Sequence, residues 1–392
     1  MSGEHAFRSR FGASPDTRIV VPGRVNLMGD HVDYCGLPVL PAAIQRRVEL
    51  HVRARDDRTV RIASSAAPPR EFGIAEPLPP FAPGDWGNYA KAAISELARD
   101  TGEPRGFDAL FDSDLPQSAG LSSSSAIVVA TALAFLHVNH TRIDRLDLAS
   151  RLARAERYVG THGGGMDQAV LLLAKKRHAL RIDFDPLRVC PREVPDAWTF
   201  VVAHSLVDAS KSNTARDAYN SRPREAEAAR AAVARSLGAP DASFRDLADR
   251  FTVDELLDAA RRADTVHRPR FTHVVTEADR VERAARALEL DEPETFGRLM
   301  SESHESLRTQ CKVSHPRLDR LVSLCLRSGA HGARLTGAGF GGCVLALTTP
   351  AQRDKLIARL TEEFYGPLGV TAHEMNDRLF IALPSQGALI VE

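Results

Sequence analysis

The sequence predicts a two-domain α+β protein. At 392 residues the chain exceeds what one hydrophobic core usually organises. Its first half mixes strand-period and helix-period segments, and a long Ala/Arg/Glu-rich helical stretch separates them from strand-like segments that return after Gly337. A junction near residue 195 divides the chain into halves 1–195 and 196–392.

The elements follow from these periods. Val48, Leu50, Val52 and Ala54 alternate with Glu49, His51 and Arg53, the pattern of a strand with one wet face. Asp56-Asp57 offers a turn before a second strand around Val60 and Ile62. Leu180, Ile182 and Phe184 alternate likewise, and Trp198 to Ala203 reads as a buried strand. Between Arg222 and Arg308, Thr252-Val-Asp-Glu255 has the form of a capping box, and Val281, Ala284, Ala285 and Leu288 mark one helix face. That region reads as solvated scaffold helix. Strands are expected again at Cys343 to Thr348 and Leu379 to Ala382.

Composition excludes several classes. Lys plus Arg and Asp plus Glu number 51 each, so no charge excess argues for nucleic acid or an anionic membrane. The N-terminal MSGEHAFRSRFG lacks the apolar run of a secretory signal. Ala126 to Leu136, the most apolar stretch, is too short to span a bilayer and reads as a helix buried on all sides. Five widely spaced cysteines without a CxxC pair suggest reduced thiols in a cytoplasm.

Four segments carry chemistry. In VPGRVNLMGDHVDYCGLPVLPAAI, Val21 to Ile44, a strand-like run gives way at Pro22-Gly23 and Gly29, which places Arg24, Asp30, His31 and Asp33 on a loop. Carboxylates and imidazole there suit a polyhydroxylated ligand, and a merely solvated loop has the same composition. In LPQSAGLSSSSAIVVATALAFL a Gly-Leu-Ser-Ser-Ser-Ser turn runs into an apolar helix. Unpaired first-turn amides and the helix dipole attract anions there, and serine hydroxyls add donors or a Mg²⁺ ligand. It lacks the GxxxxGK[ST] of a P-loop, and plain N-capping by serine stays open at this point. In RLTGAGFGGCVLAL, four glycines among residues 337–342 let backbone approach a ligand or another loop. In ERYVGTHGGGMDQA, Asp167 follows three glycines and is a candidate base toward a hydroxyl, and Glu156, on a probable helix, is a candidate metal ligand, although lone acids are usually surface groups.

In order and spacing these segments resemble the GHMP kinase superfamily, and within it the galactokinase family. GRVNLMGDHVDY is similar to that family's sugar-binding signature, GLSSSSA to its phosphate motif and RLTGAGFGGC to its third motif, and the likeness runs from FGASP near residue 11 to the last strand. The resemblance implies an N-terminal S5-domain-2-like α/β domain and a C-terminal ferredoxin-like α+β domain with added helices. It implies transfer of the ATP γ-phosphate to the C1 hydroxyl of galactose with Mg²⁺. Asp167 then matches the catalytic aspartate, and Arg24 the arginine that steadies it. Asp30, His31, Asp33 and Tyr219 match sugar contacts. Ser118, Ala119, Gly120, Leu121, Ser122, Ser123 and Ser124 match the phosphate loop, Trp86 and Tyr89 residues near the adenine, and Ser124 with Glu156 the Mg²⁺ ligands. Small-molecule sugar and ATP are the expected partners of a cytoplasmic monomer, with a weak dimer as the alternative.

Two departures bear on substrate and site. Asp30 stands where the family usually has Glu, one methylene longer, and the serine run ends Ser125-Ala126 where Ala-Ser is commoner, a swap expected to matter less. ERYVGTHGGGMDQ and DYCG are closer to the branch containing N-acetylgalactosamine kinases. Such a kinase is therefore the alternative, and a non-catalytic galactose sensor the more distant one.

Overall fold

The computed structural model describes residues 3–116, 119–208 and 213–391. Helix α1 (Gly3–Phe11) leads into strands β1 (Thr17–Met28), β2 (Leu40–Ala54), β3 (Thr59–Ser64) and β4 (Ala67–Gly73). Helix α2 (Gly87–Leu97), strand β5 (Phe107–Ser113) and helices α3 (Ser123–Val138), α4 (Arg145–Ala155) and α5 (Met166–Leu173) follow, and then the hairpin of β6 (His178–Asp183) and β7 (Arg188–Glu193). Strand β8 (Thr199–His204) opens the second half. Five helices come next: α6 (Asn213–Ser236), α7 (Phe244–Arg250), α8 (Val253–Arg262), α9 (Arg268–Glu289) and α10 (Pro293–Ser306). Helix α11 (Pro316–Arg327), strands β9 (Gly332–Thr336) and β10 (Cys343–Thr348), helices α12 (Pro350–Leu360) and α13 (Ala372–Arg378), and strands β11 (Leu379–Ala382) and β12 (Leu389–Val391) complete the chain.

Two larger sheets organise these elements. The first runs β12-β1-β2-β5-β3-β4, so the last strand of the chain returns to the sheet that opened it. The second runs β11-β8-β10-β9, antiparallel throughout. Counted along the chain that order is 4-1-3-2, the ferredoxin-like arrangement the resemblance implies.

Strand alternation joins the layers. Val201, Ala203, Val344 and Ala346 pack with Leu318, Leu321 and Leu356 of α11 and α12. Phe200, Val202, Leu345 and Leu347, from the other face of the same strands, join the large core that includes α9, α10 and the first sheet. Period two in the sequence therefore becomes two cores on either side of one sheet. The capping box at Thr252 forms as expected, and the Val281, Ala284, Ala285, Leu288 face is buried. Helix α3 is apolar on nearly every side and lies buried among α2, α5 and the first sheet. No described helix is long and apolar enough to cross a membrane.

One local expectation is corrected. Pro22-Gly23 does not end β1. The register against β2 shifts there, and the strand continues to Met28, so Arg24 is a strand residue rather than a loop residue. A bulge is where a strand tolerates proline's missing N–H. The loop begins only at Gly29.

Candidate active site

A cleft of about 490 Å³ lies between the serine-rich turn before α3, the loop after β1 and the glycine-rich turn between β9 and β10. At its centre is Asp167, the second residue of α5. Arg24 grips this carboxylate with two bonds, Nε to Oδ1 at 2.9 Å and Nη2 to Oδ2 at 3.2 Å. The third nitrogen, Nη1, donates to the carbonyl of Gly120 at 2.5 Å. Ser122 Oγ donates to Asp167 Oδ2 at 2.5 Å. One arginine fork thus fixes the distance between the carboxylate and the start of α3.

Capping and anion binding, both open from sequence, separate here. Ser122 occupies the N-cap position of α3 with φ +65°, and its side chain caps no amide. It turns to Asp167 instead, so the positive end of α3 faces the cleft. Gly120, Leu121, Ser123 and Ser124 line that wall. Ala119 is buried behind it. Ser118 lies outside the described residues.

Ser122, His31 and Phe340 all line the cleft and all have φ near +60°. Non-glycine residues rarely hold that conformation, and their clustering in one cleft marks a preorganised site.

His31, Asp33 and Tyr219 line the same cleft. His31 Nε2 is 3.1 Å from the carbonyl oxygen of Ala338 and Nδ1 is 3.1 Å from Tyr34 Oη. A carbonyl only accepts, so Nε2 carries the proton and Nδ1 accepts from the tyrosine. Burial, with His273 nearby, holds the imidazole down to about 3, and it is neutral at physiological pH. The rings of His31, Tyr34 and Tyr219 form a triangle with centroids 5.5 to 6.5 Å apart. Asp33 Oδ2 accepts from the Gly164 amide at 3.0 Å. A side chain at Gly164 would meet the Asp33 backbone at 2.2 Å, so only glycine lets the two loops close. Burial and the neighbouring Asp167 raise the Asp33 carboxyl to about 6.

Asp30 also lines the cleft, but its carboxylate pairs with Arg334 of β9, a side chain with no exposed surface. Beneath it, His273 Nε2 lies 3.0 Å from the Asp30 carbonyl oxygen and donates to it. Glu277 accepts from the Gly29 amide at 3.0 Å and from Ser303 at 2.6 Å. Burial would raise Glu277, but Arg280 and Arg334 outweigh it and hold it at about 2. Helix α9 therefore does more than act as solvated scaffold: it buttresses the loop from below.

Glu156 sits just beyond the end of α4, where a 3-10 turn begins, and lines the same cleft. Ser125 Oγ donates to Glu156 Oε1 at 2.5 Å and lies 3.3 Å from Asp167 Oδ2. Among the described residues no three His, Cys, Asp or Glu side chains gather as a protein-only metal cage. A Mg²⁺ ion that keeps waters and phosphate oxygens needs only one or two protein oxygens, and the Glu156 carboxylate with the Ser124 hydroxyl fits that donor set.

Trp86 and Tyr89 line the remaining wall with Phe111 and the turn at Ser64 to Ala67. Trp86 packs edge-on to Phe111 at 5.7 Å and donates its indole N–H to the Pro68 carbonyl at 2.8 Å. The third motif closes the cleft. Gly337, at φ +85°, packs so tightly that an added Cβ would lie 2.7 Å from the Gly120 carbonyl oxygen.

Sequence reading missed Ser125, Arg334, His273 and Glu277. Ser125 was visible only as a departure from a pattern, and Arg334 as the first letter of the third motif. His273 and Glu277 gave no local signal.

Residues 5–54 match the galactokinase galactose-binding signature, 88–175 the GHMP kinases N terminal domain and 284–366 the GHMP kinases C terminal domain. The structure is similar to that of Lactococcus lactis galactokinase complexed with galactose, with 25% identity, 98% of each chain covered and a TM-score of 0.84. Methanococcus jannaschii mevalonate kinase shares the fold at 19% identity over 94% of this chain and 98% of that one, TM-score 0.63. Streptococcus pneumoniae phosphomevalonate kinase, in complex with phosphomevalonate and AMPPNP, shares it at 14% identity over 88% and 96%, TM-score 0.63. With both kinase domains and the galactose-binding signature in one chain, and one cleft where their motifs meet, the protein belongs to the GHMP kinase superfamily and, within it, to the galactokinase family.

Proposed function

We propose that the chain is a galactokinase in which Asp167 and Arg24 act on the C1 hydroxyl of galactose while the start of α3 holds the ATP phosphates. The observation that carries this reading is the placement of Asp167: one carboxylate is bonded to the β1 arginine and the phosphate-loop serine, and shares a cleft with His31, Asp33 and Tyr219. In the transfer the sugar O1 forms a bond to the γ-phosphorus as the bond to the β,γ-bridging oxygen breaks. The hydroxyl proton leaves to Asp167, or Asp167 orients the hydroxyl electrostatically and the proton passes to an oxygen of the transferred phosphoryl group. Arg24 offsets charge on both the aspartate and the transferring group.

Residues Gly120 to Ser124, with Ala119 behind them, form the phosphate loop, and Trp86 and Tyr89 flank the adenine. His31, Asp33 and Tyr219 meet sugar hydroxyls, and Asp30, tied to Arg334, sets the position of that loop. Ser124 and Glu156 would hold Mg²⁺, which when bound would neutralise charge on the nucleotide phosphates. The halves 1–195 and 196–392 act as the two kinase domains, with β12 returning to the first sheet. The five cysteines carry no disulfide, which suits an enzyme working in the cytoplasm.

Assay with ATP, Mg²⁺ and a panel of free hexoses tests the reading. Galactose should be turned over best, with phosphate on C1. Faster turnover of N-acetylgalactosamine would move the assignment to that branch, and binding of ATP and galactose with no transfer would mark a sensor.

A pH prediction follows from Asp33. Its raised folded-state value means that the stability it contributes is fully present below the unfolded carboxyl range, ~3.9, and is lost as pH rises through about 6. Holding this charge at neutral pH thus costs stability, as expected of a carboxylate kept to accept substrate hydroxyls. As pH falls through about 6 the carboxyl takes a proton and loses its charge and part of its acceptor capacity, so the galactose KM should rise while the ATP KM stays flat. Asp33→Asn should give a high galactose KM without that pH step. Parallel movement of both KM values would instead assign the loop a structural role.

A further inference from the structure

The geometry points to Ser125 as a positioning residue that orients the Glu156 carboxylate for the divalent cation, a role that rests on the cation reading above. Ser125 is only 2% exposed and stands in the first turn of α3. A buried hydroxyl costs free energy unless it is bonded, and alanine is the better helix former. Neither burial nor helix propensity therefore accounts for a serine here. Its bonds do.

A hydroxyl carries one proton and donates to one acceptor at a time. The shorter contact, 2.5 Å against 3.3 Å, assigns that proton to Glu156 Oε1 rather than to Asp167 Oδ2. Asp167 Oδ2 already receives Ser122 and Arg24. The one serine oxygen brings the two carboxylates within about 6 Å of each other, where like charges repel. Glu156 also stands at the C-terminal end of α4, where the helix dipole disfavours a negative charge. A nearby cation would favour a carboxylate so placed. Ser125 engages Oε1, and Oε2 faces the side of Gly163 and Tyr219, within 3.9 Å of a Cβ position at Gly163. Hydrogen bonds of this kind behind a metal-ligating carboxylate fix its rotamer, and losing one typically weakens metal binding 10- to 100-fold, roughly.

Mn²⁺ serves as the probe, titrated by electron paramagnetic resonance into the full-length protein saturated with a non-hydrolysable ATP analogue. Ser125→Ala should raise the Mn²⁺ Kd roughly tenfold while metal-free nucleotide affinity and the galactose KM stay put. Glu156→Gln should weaken Mn²⁺ at least as much, and the double variant should match Glu156→Gln alone. If Glu156→Gln weakens Mn²⁺ and Ser125→Ala leaves it unchanged or tighter, the role of Ser125 is refuted and the cation reading stands. If the Ser125→Ala loss persists in full on the Glu156→Gln background, the serine acts by another route and the inference fails. Unchanged Mn²⁺ binding in Glu156→Gln would remove the cation reading, and this inference with it.

Discussion

Replacing Asp167 with asparagine is expected to lower kcat by roughly 10² to 10⁴-fold, the span typical of a positioned acid–base group, and to leave nucleotide affinity nearly unchanged. Asp167 accepts directly from Ser122, and Arg24 links it to the Gly120 carbonyl; neither bond uses a backbone amide of the loop. Nucleotide phosphates would contact the loop's amides instead. Asparagine keeps the shape and removes the charge. Alanine is a harsher change, because Arg24, with its side chain 6% exposed, would keep only the Gly120 carbonyl as partner for its charge. A buried guanidinium without its carboxylate destabilises the strand that carries it. Steady-state kinetics and calorimetric binding of an ATP analogue, measured on both variants, separate chemistry from folding. Retained turnover with lost nucleotide affinity would remove Asp167 from the reaction.

The same residue shows how far a sequence can be read. Glycines, serines and acids at fixed spacing marked all the cleft's principal loops, because turn and helix-start chemistry is local. The part of the second strand at residues 48–54 was legible because its period of two is written along the chain, and the helix at Ser123–Val138 because its apolar run is unbroken but for one threonine; the part of that strand at residues 40–44 was not. What local pattern did not show was which acid meets which base. Pro22-Gly23 reads as a strand end, yet β1 runs through it because β2 pairs on both sides of the bulge. Ser125 reads as a neutral swap until α4 and α5 bring Glu156 and Asp167 to it from 31 and 42 residues away. His273 and Glu277 look like any polar positions on a long helix. Only the docking of α9 under the first loop, a tertiary event, turns them inward.

That docking makes a second large effect testable. Arg334→Met should destabilise the protein by roughly 3–5 kcal/mol, the range for breaking a buried ion pair from one side. Arg334 has no exposed surface, Asp30 is 3% exposed, and Glu277 lies 3.7 Å from the same guanidinium. Glu277 keeps Arg280 at 2.8 Å. Asp30 loses its ion-pair partner and keeps Arg24 as a lesser counter-charge. Burial already raises the Asp30 carboxyl while Arg334 opposes the rise, so without the arginine the carboxyl goes higher still. A raised folded-state value means the stabilising contribution is present below the unfolded value and lost as pH rises through the folded one. The variant's deficit should accordingly be larger at the higher of two pH values, where more of the carboxyl is ionised, than at the lower. Denaturant titrations at the two values measure it, and Asp30→Asn in the Arg334→Met background should recover part of the loss. Because the same pair holds the turn carrying His31, the galactose KM should rise in the surviving folded fraction while the ATP KM changes little. A deficit that grew toward acid pH would mean that Asp30 is not the group left uncompensated, and that the arginine serves the sheet rather than the sugar end of the cleft.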